Sequence, residues 1–329
     1  MALKKVNWGI IGCGDVTEAK SGPAFNIIEG SELIAVMRRD PVKVADYARR
    51  HNVPKYYTDA GKLISDTDIN AIYVATPPDT HAYYAIKALE AGKPVYVEKP
   101  MARTYAECKA ITEASKKHKT PLFVAYYRRS LPGFVKIKKL IDSKEIGNPR
   151  TVCIRLFKPA TNEEMKGKLS WRVKPEIAGA GHFYDLASHQ IDYLEYLFGP
   201  VMQVTGLATN LGKFYKAEDT VSASFVFENN VVGTGTWCFV SSEAGTCDRI
   251  EIIGDKGRIM FSCFDFTPII HESGTEKHVY SNTKPEHVQY YLIEQVVNQL
   301  LGKGKSPSTG ITGAHTNWVM EEIVKQYYQ

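Results

Sequence analysis

The sequence holds no pair of cysteines at the short spacing of a zinc knuckle or a redox dithiol. Cys13, Cys108, Cys153, Cys238, Cys247 and Cys263 stand singly, which argues against a disulfide framework and fits a reducing, cytoplasmic compartment. No apolar stretch approaches the roughly 20 residues of a membrane helix, so no membrane partner is expected. Met1-Ala2-Leu3-Lys4-Lys5 carries charge with no long apolar run behind it, unlike a secretory signal. Dense basic runs are missing too. The nearest, Lys116-Lys117-His118-Lys119, complements a helix dipole or faces solvent. With 41 Lys and Arg against 36 Asp and Glu, the net charge of +5 suits a small anionic ligand and gives no reason to expect nucleic acid. Internal repeats and low-complexity segments are absent.

The 329 residues are enough for two domains, each able to bury its own core. Over the first third, short apolar strands alternate with amphipathic helices. Strands are expected at Lys5–Ile11, Glu32–Arg38, Ile72–Ala75, Val95–Val97 and Leu122–Tyr126, and helices at Pro41–His51, His81–Ala91 and Tyr105–His118. Asp79 or Thr80 can cap the second of these helices and Gly92 can end it. This alternation predicts an α/β fold with a doubly wound parallel sheet. After a glycine-led helix at about 180–197, strands follow one another at Val201–Thr209, Thr220–Phe227, Val231–Phe239, Arg249–Ile253 and Arg258–Ser262. Glu228-Asn229-Asn230 and Asp255-Lys256-Gly257 read as hairpin turns. The second domain is therefore expected to be α+β with a mainly antiparallel sheet. Helices at His287–Leu301 and Ala314–Tyr327 close the chain, with Thr312 as cap of the last. The boundary falls at 126/127, giving domains 1–126 and 127–329.

Gly9-Ile10-Ile11-Gly12-Cys13-Gly14 ends the first strand and opens the first helix. Glycine there lets backbone approach a pyrophosphate resting on a helix N-terminus. The third position of the fingerprint is Thr17, and the strand–turn–helix context is what favours a dinucleotide. At the end of the second strand, where an acid would bind a ribose 2′-hydroxyl, the chain has Met37-Arg38-Arg39. Arginine pairs with a 2′-phosphate, which places NADP ahead of NAD. Asp40 is the alternative ribose partner.

Two further constellations carry chemistry. Glu98-Lys99-Pro100 follows a buried strand at the ligand-binding carboxyl edge of the sheet. Lysine there can polarise a reacting oxygen, or else form a structural ion pair. In the stretch Gly179 to Asp192, a helix starting after Gly181 puts Asp185 and His189 one turn apart on a single face. That pairing suits a general base oriented by a carboxylate. His182 falls near the same face, which opens a competing metal site of His182, Asp185 and His189, as in a metal-dependent hydrolase or lyase. No second cluster supports a metal, and none is expected.

Together with Ala75-Thr76-Pro77-Pro78, His81 and Trp171-Arg172, these residues make the chain resemble the Gfo/Idh/MocA oxidoreductases over nearly its whole length. The resemblance implies an N-terminal Rossmann domain and a C-terminal α+β domain, with Lys99, Asp185 and His189 as the catalytic group. It implies a cofactor, NADP or NAD, held by Gly9, Gly12, Cys13, Gly14, Asp15 and Val16. Arg38, Arg39, Thr76, Pro77, Pro78 and His81 join them, with Glu98, Lys99, Trp171 and Arg172 completing the cofactor set. Tyr126 and Arg128, in the stretch Tyr126 to Arg129, are expected to border a cleft for a sugar-like substrate alongside Lys99, Asp185 and His189. The sheet of the second domain is expected to form a homo-oligomer interface, dimeric or tetrameric. Ala180 and Ala187 replace glycines common in the family, and the stretch Thr17 to Pro23 delays the first helix. A non-catalytic regulator of the same fold is the alternative, though a regulator has no use for all three catalytic residues.

Overall fold

A computed structural model describes residues 2–329. The chain divides into two compact units, Met1–Leu131 with Pro285–Ala314, and Pro132–Lys284 with His315–Gln329.

The first unit is built on six parallel strands: β1 Val6–Ile11, β2 Ser31–Met37, β3 Lys55–Tyr57, β4 Ala71–Val74, β5 Val95–Val97 and β6 Leu122–Val124. Their order is β3-β2-β1-β4-β5-β6, so the direction of winding reverses between β1 and β4, and ligands of such sheets sit at that switch point. Apart from the edge strand β3, the strands are buried on both faces, as parallel sheets require. Val6, Trp8, Ile10, Tyr73, Tyr96 and Phe123 enter one core, while Ile11, Ile72, Val74, Val97 and Val124 enter the other. Pro41 at the first helical position and Asp40, accepting from the Val42 and Lys43 amides, start the helix Pro41–Arg50. Thr104 caps Tyr105–His118 in the same way.

Residues 285–314 depart from the sequence-based division, which put them in the second domain. The helix Tyr290–Leu300 lays Leu292, Ile293, Val296, Val297 and Leu300 into the core around Trp8 and Phe25. Its apolar stripe names no destination, so sequence alone assigns it by proximity. Two cap assignments also change. Pro78–Thr80 is a 3₁₀ turn, and neither Thr80 nor Asp79 caps the helix His81–Glu90 through its side chain. The last helix begins at Gly310, so Thr309 is the capping residue: its Oγ1 accepts from the Thr312 amide while the Thr309 amide donates to Thr312 Oγ1.

The second unit holds eight strands: β7 Pro149–Phe157, β8 Val201–Thr209, β9 Thr220–Phe227, β10 Val232–Cys238, β11 Cys247–Gly254, β12 Gly257–Phe261, β13 Ile269–Ser273 and β14 Glu276–Tyr280. The order is β14-β13-β12-β11-β7-β10-β9-β8. Every neighbouring pair is antiparallel except β7 with β10. Val221, Ala223, Phe225 and Phe227 of β9 are buried while Ser222 and Ser224 are exposed, the expected alternation. The helix His182–Phe198 packs on the buried face. Phe183 meets Trp237 edge-on, the Trp237 indole N–H donates to Gln190 Oε1 at 2.7 Å, and Phe198 meets Phe227.

Candidate active site

In the first unit, the glycine loop leaves β1 at the carboxyl edge. The amides of Gly12 and Cys13 both donate to the Met37 carbonyl, at 2.9 and 3.2 Å, tying the loop to the end of β2. Gly12 has φ +94, and a Cβ there would lie 2.6 Å from Thr76 Cγ2 and 2.9 Å from the Thr76 amide nitrogen. Only glycine tolerates both the angle and the approach. Gly14 differs: its φ of −142 is ordinary, and the nearest atom to a Cβ would be 4.0 Å away. The space beside Gly14 is open, which is what a backbone cradle for a pyrophosphate needs. Gly9 lies inside β1, where a Cβ would meet Leu63 and Ile69, so packing accounts for it. Thr17 is buried and turns its hydroxyl back to the Gly14 carbonyl at 2.8 Å. Cys13 is buried, and desolvation pushes its thiol up to about 11. Asp15 is exposed and Val16 half-buried.

Arg38 reaches the same loop, its Nη1 donating to the Cys13 carbonyl at 3.2 Å. Arg39 beside it is exposed. Asp40 spends one carboxylate oxygen on the cap of Pro41–Arg50, and those backbone amides hold its pKa below the usual value. Pro77 is exposed and Pro78 buried. His81 is fully buried with Nδ1 3.0 Å from the Pro100 carbonyl and Nε2 2.6 Å from that of Thr76. Its ring therefore staples the turn after β4 to the turn after β5, and burial lowers its pKa.

The turn after β5 carries Glu98 and Lys99, and the Lys99–Pro100 peptide is cis. Glu98 is buried; its Oε1 accepts from the Tyr73 hydroxyl at 2.5 Å and from Gln289 Nε2 at 2.6 Å. Its Oε2 accepts from the Lys99 amide at 3.2 Å. Glu98 thus points into the unit, whereas Lys99 is half-exposed. Tyr126 and Arg128, just past β6, are both buried, with the Arg128 guanidinium 5.1 Å from the Tyr127 ring centre.

In the second unit, Arg172 lies over the Trp171 ring at 4.5 Å and its Nε is 3.3 Å from Asp185 Oδ2. His189 is buried one turn beyond Asp185, with Phe264 edge-on at 6.2 Å. His182 is directed elsewhere: its Nε2 pairs with Glu164 Oε1 at 2.6 Å. Among the described residues no three His, Cys, Asp or Glu form a metal-holding group, so the set of His182, Asp185 and His189 does not assemble.

Sequence reasoning missed Glu164, Glu218 and Gln289. Glu164 closes a capping box with Thr161 and is lowered to about 2 despite its burial, held down by His182 and Thr161. Glu218 is fully buried at the start of the helix His182–Phe198, accepting from the Gly181 amide at 3.0 Å and from the Tyr328 hydroxyl at 2.5 Å. Desolvation raises it to about 7. Lone acids and amides carry no spacing signal. The one available hint was Glu218-Asp219 standing directly before an apolar strand.

Residues 6–126 match the oxidoreductase family with an NAD-binding Rossmann fold, and residues 134–260 match the GFO/IDH/MocA C-terminal domain. An oxidoreductase of Formosa agariphila is 41% identical over 96% of this chain and 98% of its own length. The chain belongs to the GFO/IDH/MocA oxidoreductase family. Levoglucosan dehydrogenase of Pseudarthrobacter phenanthrenivorans is 32% identical over 79% of the chain and 74% of that protein. A solved structure of levoglucosan dehydrogenase with NADH and levoglucosan superposes with a TM-score of 0.86 over 98% of this chain and 97% of that one, at 23% identity. That likeness concerns the fold: a Rossmann sheet followed by a large, mostly antiparallel sheet. This family member is accordingly an NAD(P)-dependent oxidoreductase, and the expectation of a non-catalytic regulator drops behind it. No helix among the described residues is long and apolar enough to cross a membrane.

Proposed function

We propose that this oxidoreductase acts on a CH–OH or C=O group of a sugar, cyclitol or related polyol, with NADP(H) preferred over NAD(H). The observation that carries the reading is the edge of the first unit's sheet. There the open backbone at Gly14, the positive-φ Gly12, Arg38 and the Glu98–Lys99 turn all follow strand ends at or next to the switch point. Relatives named levoglucosan dehydrogenase and inositol 2-dehydrogenase support the substrate class.

The residues fit a dinucleotide. Gly12, Cys13 and Gly14 would line its pyrophosphate and Arg38 would meet a 2′-phosphate, while one Asp40 carboxylate oxygen is engaged at its helix cap. When bound, the nicotinamide supplies or accepts the hydride. The chain's own groups handle the proton: His189 takes it from the substrate hydroxyl or returns it, Asp185 orients His189 or grips a neighbouring hydroxyl, and Lys99 donates to the reacting oxygen. Arg172 sets its positive charge beside Asp185, Nε to Oδ2 at 3.3 Å. A second proposal concerns assembly: Met202, Leu207, Val232 and Val279 lie exposed on the strands of the large sheet, which supports its use as a homo-oligomer interface. The scattered free thiols support a cytoplasmic setting.

Fluorescence titration with NADPH and NADH, followed by a carbonyl and polyol screen with the tighter cofactor, tests the reading. His189→Ala and Lys99→Ala should each lower turnover about 10²–10⁴-fold. Full turnover by both variants, or no binding of either nucleotide, ends it.

A further inference from the structure

The excursion between β7 and the helix His182–Phe198 lies on the surface and is held down by one buried charge. From Thr161 to Arg172 every residue is exposed or half-buried except Glu164. The Glu164 carboxylate divides its oxygens. Oε2 accepts from the Thr161 amide at 2.8 Å, while Oε1 lies 2.6 Å from Nε2 of His182, the first residue of the helix. An ionised carboxylate only accepts, so that nitrogen carries the hydrogen and donates. The His182 ring packs against Tyr215 and Phe239, with centroids 5.8 and 5.4 Å away. Beyond Glu164 the segment returns through Trp171 and Arg172 to Val173, which enters a small apolar cluster with Tyr215 and Ala217. Arg172 Nε meets Asp185 Oδ2 at 3.3 Å. His182 and Asp185 stand three residues apart, neighbours on one helical face, so both contacts fasten the same segment to the same turn of the helix.

We propose that Glu164 and His182 are positioning residues for the reaction: together they latch the segment 161–173 onto the helix and so seat Arg172 against Asp185. The inference rests on the reading of Asp185 as a catalytic residue. Removing the imidazole leaves the buried Glu164 charge with one donor fewer, and a buried charge deprived of its partner is strongly unfavourable. The segment relieves this by lifting, which returns the carboxylate to water. Such lifting stays local, because the rest of residues 161–172 is already exposed or half-buried. Arg172 rides on the same segment and then spends part of its time away from Asp185.

Two measurements on the full-length protein test this. In the first, native trypsin digestion is followed by peptide mass spectrometry for wild type and His182→Phe, in which the ring keeps its packing and loses its donor. Lys166 and Lys168 are exposed on the segment, and Lys256, exposed on a hairpin of the same unit, is the control. Cleavage after Lys166 or Lys168 should rise about five- to twentyfold, following the open population, while cleavage after Lys256 and the melting temperature stay nearly unchanged. His182→Gln, whose amide can still donate, should restore most of the protection. In the second, kcat/KM with the best substrate of the carbonyl and polyol screen is compared for His182→Phe, Arg172→Met and the double variant. His182→Phe should lower it about three- to tenfold, and should cost less than about twofold more once Arg172 is gone. Unchanged cleavage overturns the proposal, and so do additive losses in the cycle. A lower melting temperature with cleavage rising equally at all three lysines marks a merely structural role and also overturns it. If His182→Phe does not fold, Glu164→Gln removes the charge from the same contact and is judged by the cycle, where additivity is equally fatal. Full turnover by Asp185→Asn would end the catalytic reading of Asp185 yet leave the cleavage result standing, so the two failures are separable.

Discussion

Arg172 places its Nε 3.3 Å from Asp185 Oδ2 while its guanidinium lies 4.5 Å from the centre of the Trp171 ring. The pair is partly exposed, so it adds little to stability, about 0–1 kcal/mol. Its effect should fall on turnover. Arg172→Met is expected to lower kcat/KM about tenfold with a nearly unchanged melting temperature. Arg172→Lys should not restore the loss, because an ammonium lacks the planar face that rests on Trp171. A large drop in melting temperature with normal kcat/KM would contradict this.

The two loop glycines should separate folding from cofactor binding. Gly12→Ala meets Thr76 at 2.6 Å with φ +94, and strain of this kind costs about 1–3 kcal/mol. Gly14→Ala meets nothing nearer than 4.0 Å. It should melt like wild type yet bind NADPH and NADH more weakly, since its methyl fills space that a pyrophosphate needs. Unimpaired nucleotide binding by Gly14→Ala would place the phosphates elsewhere.

Arg38 offers the test of cofactor choice. A hydrogen bond to a charged group contributes about 1.5–3 kcal/mol, so Arg38→Ala should weaken NADPH binding roughly ten- to hundredfold. NADH is the control for the lost contact to the Cys13 carbonyl, and its affinity should change far less. Equal losses for both nucleotides would remove the basis for an NADP preference.

Glu218 makes stability depend on pH. Its carboxyl ionises near 4.5 in the unfolded chain and near 7 in the fold, where burial opposes the charge. Between these values the folded state holds the extra proton, so stability falls as pH rises from about 4.5 to about 7 and then levels off. Glu218→Gln removes that ionisation and keeps an acceptor for the Gly181 amide. It should gain up to about 3 kcal/mol on wild type at pH 8 and little at pH 4. Denaturant melts at both pH values decide the matter; a variant weaker at pH 8 than at pH 4, relative to wild type, would refute it.

Much of the first unit was legible because its inner strands are buried on both faces and its helices carry strong ends. The helix Tyr105–His118 matches its expected bounds, with Thr104 at one end and Lys119 in the left-handed conformation at the other. Lys55–Tyr57 escaped because three residues show no period. Pro149–Phe157 did alternate, with Val152, Ile154 and Leu156 buried, but Arg150 on their parity and the apolar Cys153 and Phe157 on the other blurred the pattern. The hairpin Ile269–Ser273 and Glu276–Tyr280 is an edge rich in charge. At the site, Lys99 stood out by following a strand and Asp185 by helical spacing. Arg172's hold on Asp185 and Gln289's on Glu98 join residues 13 and 191 positions apart, and nothing local in a sequence announces a partner at such distances.

The return of residues 285–314 to the first unit bears on how the molecule is made. As the chain leaves the ribosome, the sheet around Trp8 and Phe25 emerges long before the helix that covers it. At about 5–20 residues per second, the roughly 150 intervening residues take on the order of ten to thirty seconds. During that interval the nascent sheet carries an uncovered aromatic face, and a recombinant fragment ending at Leu131 would carry the same face permanently.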